Sequence, residues 1–106
     1  MTSSRSEEFA RQIAEAADKI WEVGKHWEHC SNDFSWNMKS LSSQLHSVRS
    51  EFENGRELCL VAEIERPKIW RISDEVLREA RRTGGGCGKL LHEAYDILVG
   101  LVEDLK

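Results

Sequence analysis

A chain of 106 residues, 40% hydrophobic and 32% charged, has the balance of a single globular domain (1–106) and not that of a disordered tail. Its net charge of −4 and pI near 5.6 lack the cationic excess by which nucleic acids are held, which speaks against a nucleic-acid partner. The longest apolar run, ILVGLV (97–102), is too short to cross a bilayer, MTSSRSEEFARQ has no apolar signal segment, and three widely spaced cysteines (Cys30, Cys59, Cys87) fit a reduced, cytoplasmic setting.

The first predicted element is SEEFARQIAEAADKIWEVGKHWEHC. Ser6 is the expected N-cap, and Glu7 and Glu8 favour the positive end of the helix dipole. Phe9, Ile13, Ala16, Ile20, Val23 and Trp27 fall at 4-3-4-3-4 spacing, one apolar stripe on a helix. CSNDFSWNMKSLSSQLHSVRSEFENG follows, with Ser31, Asn32 and Asp33 as possible caps. Phe34, Met38, Leu41, Leu45, Val48 and Phe52 repeat the same 4-3-4-3-4 spacing. Its many serines are poor helix formers, so packing of the stripe has to carry this helix. Asn54 or Gly55 ends it in the left-handed conformation. Two matched stripes joined by a short polar link predict an antiparallel helical hairpin.

RELCLVAEIERPKIWRI admits two readings. Leu58, Val61, Ala62 and Ile64 suit a short helix. Leu58, Leu60, Ala62 and Ile64 alternate like a strand that would turn at ERP and return through Ile69–Ile72. Helical surroundings favour the helix, and Pro67 is expected to break the chain in both readings. Ser73 then caps a short helix, DEVLREARR. The last helix is expected to be KLLHEAYDILVGLVEDLK, with Leu91, Ala94, Leu98, Leu101 and Leu105 on a seam that Leu90, Ile97 and Val102 broaden. A helix running to the last residues is what an excised front domain of a larger protein would show.

Between these helices stands TGGGCGKLLHE. A Walker-type phosphate loop needs glycine five residues before Gly-Lys and a Ser or Thr after it. Here Thr83 and Leu90 occupy those places, so the glycines predict a reversal between two helices. His26, His29 and Cys30 stand at helical i, i+3 and i+4 and could approach a zinc ion, with Cys59, Cys87, His46 or His92 as a fourth ligand. No CxxC or HExxH pattern accompanies them, and the primary expectation is no metal and no cofactor. No serine is spaced from a base and an acid as a nucleophile requires, so no catalytic residue is assigned.

Trp27 lies on its stripe and is assigned to the core. Trp21, Trp36 and Trp70 could also line a pocket or a partner surface; Trp21 sits beside the first stripe and Trp36 falls off the second, which makes those two the better candidates for an exposed contact surface, although a core position is the plainer reading for each. Charge is also divided. Residues 66–82 hold six basic and three acidic side chains, a net of +3, whereas residues 90–106 hold one basic and four acidic, a net of −3. Arg71, Arg78 and Arg82 of the basic segment join Trp21 and Trp36 as interface candidates. Such a division favours internal packing or head-to-tail self-association, while a solvated face with capping charges is the plainer account.

Three stretches in this order carry a resemblance: Ile13, Ala14 and Ala17; then Ser40, Leu41 and Leu45; then Gly86, Cys87, Leu91, Glu93 and Leu98. The chain resembles the helical N-terminal domains of fungal STAND (NLR-like) receptors, the HeLo-like group. The resemblance implies an all-helical bundle that transmits a signal by assembling, without catalysis. The first helix departs from that group's apolar pattern, since it carries Arg11, Glu15, Asp18, Lys19, Glu22 and Lys25. Adaptor or self-association behaviour is therefore implied ahead of membrane insertion.

The combined expectation is an all-α bundle of four to five helices, a long N-terminal hairpin plus a long C-terminal helix. Its core is built on Ile13, Ile20, Trp27, Leu41, Leu45, Val48, Leu91, Leu98 and Leu101. Its expected function is a non-catalytic protein–protein interaction module of signalling type, with a protein or a second copy as partner. The alternatives are a metal-dependent helical module and a peripheral membrane-attaching domain, although the acidic last helix argues against anionic membranes.

Overall fold

The structure, a computed structural model, describes residues 4–27 and 32–105. Four helices follow one another: α1 (Ser4–Trp27), α2 (Asn32–Glu53), α3 (Leu58–Arg82) and α4 (Gly85–Asp104). No strand occurs among the described residues, so the molecule is an all-α bundle. The extents of 43 × 21 × 18 Å are those of helices laid side by side along one long axis. α1 packs against α2 and α4, α3 packs against α4, and α2 meets α3 along a much shorter seam.

The stripes read from the sequence form the core. Phe9, Ile13, Ala16, Ile20 and Val23 of α1 are buried, as are Met38, Leu41, Leu45, Val48 and Phe52 of α2. Leu91, Ala94, Leu98, Leu101 and Val102 of α4 close over them, and Leu90, Ile97 and Leu105 are partly covered. Trp27 is only half-buried, because its stripe reaches the end of the bundle there. It stands edge-on to Phe34, with ring centroids 5.9 Å apart at 82°.

Small residues set the register of the α1–α2 pair. The buried Ser42 hydroxyl donates to the Ala17 carbonyl at 2.9 Å, and the buried Ser35 hydroxyl donates to the Gly24 carbonyl at 2.6 Å. These pairs run in opposite chain order, so the hairpin is antiparallel. At Gly24 a Cβ would lie 3.1 Å from both the Met38 Cβ and the Ser35 carbonyl oxygen, so glycine lets the two helices close together. The serines that weaken α2 as an isolated helix are thus partly repaid by bonds to its neighbour.

The largest departure from expectation is α3. Residues 58–82 are one helix of 25 residues that runs through Pro67. The hairpin reading is excluded, and the bundle has four helices, not five. Pro67 cannot donate the bond owed to the Glu63 carbonyl, but both residues lie on the exposed side, where water reaches the backbone. Val61, Ile69, Ile72, Val76 and Ala80 are buried on both sides of the proline. Burying large side chains at ~1.5–3 kcal/mol each outweighs a helical proline's cost of ~3 kcal/mol.

Two expected caps, Ser73 and Ser6, are corrected. Ser73 lies in the middle of α3, buried, and its hydroxyl donates to the Trp70 carbonyl at 2.7 Å. Ser6 lies inside α1, which begins at Ser4. Of the caps proposed for α2, Asn32 and Asp33 are its first helical residues, and Ser31 is outside the described residues.

Gly55 follows α2 with φ 75°, in the left-handed region. Between α3 and α4 the reversal is short. Thr83 closes α3 by donating its N–H to the Glu79 carbonyl at 3.0 Å, and α4 begins at Gly85 (φ 69°) instead of Lys89. Gly88 is buried, and a Cβ there would run into the Thr83 carbonyl oxygen. The glycine run therefore serves both the turn and the close approach of α4 to the end of α3.

Candidate functional site

The candidate metal ligands are only partly within the described residues. His26 is exposed at the end of α1, and its ring stands edge-on to Trp27 at 6.0 Å. His29 and Cys30 lie outside the described residues. Among the described residues no group of three or more His, Cys, Asp or Glu side chains gathers as metal ligands would. Of the fourth-ligand candidates, Cys87 shares with His26 a recess of about 710 Å³, also lined by Glu22, Trp27 and Leu90. Cys59 is exposed at the start of α3, at the opposite end of the bundle from His26, and cannot join it. His46 faces Asp18, with Nε2 3.7 Å from the carboxylate, and His92 is exposed.

The interface candidates are all on the surface. Trp36 is 72% exposed on the outer side of α2, and Trp21 is 44% exposed beside the α1 stripe. The Lys39 ammonium lies 5.2 Å from the Trp21 ring centroid, a cation–π contact that ties this part of the hairpin together. Arg71, Arg78 and Arg82 are exposed on α3. The structure therefore distributes the expected residues over two surfaces, a tryptophan pair on the hairpin and an arginine row on α3.

The α3 surface also carries large apolar residues beyond the preferred interface candidates. Leu60 (55%), Ile64 (56%) and Trp70 (55%) are exposed. Leu60, Ile64, Pro67, Arg71, Asp74 and Arg78 follow one another at 4-3-4-3-4 spacing, all on the side of α3 away from the core. α3 is thus striped twice, once inward and once outward. The missing signal was continuity. A break at Pro67 groups Ile64 with Leu58, Val61 and Ala62 and leaves Trp70 off any stripe. Running the 3.6-residue period through the proline separates the two stripes.

Charges on α3 are mostly answered from its own turns. Arg78 pairs with Asp74 at 3.0 Å and Arg82 with Glu79 at 3.2 Å. Such exposed pairs are worth little to stability and serve to define the surface. Between α1 and α4, Lys19 reaches Glu93 at 3.1 Å. Arg66 Nε donates to the Val102 carbonyl of α4 at 3.1 Å, so part of the basic segment does meet the acidic helix.

The short α2–α3 seam leaves two adjoining recesses of about 300 and 330 Å³, both bordered by Glu51 and Glu65. Glu65 is the one acidic side chain on the inward stripe of α3, and it is 3% exposed. Lys68 Nζ lies 3.3 Å from both carboxylate oxygens and donates a hydrogen bond to Oε1, while Oε2 accepts none. Arg56 closes the outer rim by pairing with Glu51 at 3.4 Å.

This geometry defines an all-α bundle with one helix that shows an apolar and basic face outward. Comparison with known protein families, with curated proteins and with solved structures found no match. No helix among the described residues is long and apolar enough to cross a membrane.

Proposed function

We propose that this bundle is a non-catalytic protein–protein interaction module of signalling or regulatory type, self-associating, that works in the reducing environment of the cytoplasm. The observation that carries the reading is the outward stripe of α3. Three large apolar side chains, each more than half exposed, stand on one helix beside Arg71 and Arg78. Exposed apolar clusters with arginine at their edge are the composition of contact surfaces, and water leaves them favourably when a partner arrives. The order of stretches that resembles HeLo-like domains supports the same reading, since that group signals by assembling.

Light scattering coupled to size exclusion tests it, at two protein concentrations and at low and high salt. A species larger than the 12.2 kDa chain that persists in salt is expected, because apolar contact is not screened. A strict monomer that also captures nothing from an extract of its native cells would overturn the proposal.

A further inference from the structure

We infer that the partner on the outer face of α3 is a second copy of this chain, packed antiparallel about a two-fold axis at Pro67; this rests on the self-association reading above. The inward stripe of α3 centres between Glu65 and Ile69, and Pro67 lies on the opposite side, in the middle of the exposed face. Of the exposed residues around Pro67, the two pairs nearest to it on this face are matched about it. Ile64 and Trp70 stand three residues to either side, and Glu63 and Arg71 stand four. A two-fold contact sets each residue off the axis against a different one on the other copy, twice, and the residue on the axis against its own copy. With the axis at Pro67, Ile64 of one copy is level with Trp70 of the other, and Glu63 is level with Arg71.

Charge selects this arrangement. Glu63 and Arg71 are exposed and form no ion pair or hydrogen bond among the described residues, whereas Asp74 and Arg78 on the same face pair with each other at 3.0 Å. Within one helix Glu63 and Arg71 are separated by about 12 Å of rise, too far to pair. A parallel pair would set Glu63 against Glu63 and Arg71 against Arg71. The antiparallel pair alone joins opposite charges at both ends. It also brings an arginine, with five donors, next to the Glu63 carbonyl that Pro67 leaves without its helical donor.

Charge exchange in the full chain tests the inference, read by sedimentation velocity with far-UV circular dichroism to confirm folding. Glu63→Arg alone and Arg71→Glu alone each set like charges level, and each is expected to weaken the dimer by roughly tenfold or more. The double variant Glu63→Arg/Arg71→Glu is expected to restore it. In a chain whose three cysteines are replaced by serine, Pro67→Cys is expected to give a disulfide-linked dimer on mild oxidation, and Trp36→Cys is not. A dimer that ignores both single exchanges, or that the double exchange fails to rescue, would overturn the α3 surface and leave self-association standing. A monomer at every concentration would overturn both.

Discussion

A methyl group added at Gly88 has nowhere to go. The Cβ of Gly88→Ala would run into the Thr83 carbonyl oxygen, which belongs to the backbone that closes α3 and cannot rotate aside. The helical preference of alanine over glycine is worth up to ~1 kcal/mol, less than the displacement of α4 from the end of α3 costs. A net loss of about 2 kcal/mol is expected, read as a fall in Tm of roughly 10 °C in a thermal melt. A second residue-scale prediction concerns Cys59. Its thiol is raised above its usual range, first by the hydrogen bond to the Glu57 carboxylate and further by desolvation and by that negative charge. A raised pKa means less thiolate at a given pH, so alkylation of this exposed thiol should be slow at neutral pH and rise at a higher pH than a free cysteine's. Glu57→Gln should move that rise to lower pH; an unmoved profile, followed by peptide mass spectrometry, would refute the assignment.

At the scale of elements, α3 is the instructive helix. Its proline is on the exposed face, and its inward stripe continues on both sides. Pro67→Ala should therefore restore the missing backbone bond without disturbing the core and stabilise the monomer by about 1–3 kcal/mol, measured by urea denaturation. A destabilised variant would show that the proline holds a kink the bundle needs. The stripes of α1, α2 and α4 were legible because each lies within one uninterrupted period. That of α3 was not, because local chemistry assigns proline a break, while the energy that overrides it comes from Ile69, Ile72 and Val76 packing on other helices.

At the scale of the whole molecule the bundle is unevenly closed. α1 is held on two sides, by α2 and α4, whereas α2 and α3 share only a short seam with Glu65 in it. The first turns of α3 reach the core through Val61 and Ala62, with Leu60 and Ile64 facing outward. Backbone amides of residues 60–65 should therefore exchange with solvent faster than those of residues 13–23, which lie in the best-packed helix. Hydrogen-exchange mass spectrometry decides this, and equal protection would mean the seam is tighter than its packing indicates. If the α3 face pairs with a second copy, protection of residues 60–71 should also rise with protein concentration.

The sequence by itself determined the helical class, the hairpin and the inward faces of α1, α2 and α4. Those depend on a period of 3.6 residues that each segment carries alone. It offered Trp21, Trp36 and the arginines as surface candidates, with the core as the plainer reading for the two tryptophans. Tertiary structure alone decided that α3 is one helix, that Leu60, Ile64 and Trp70 face outward, and that Ser35 and Ser42 bond across to α1. In each case the deciding energy is burial or a bond supplied by another helix, and no pattern within the segment records it.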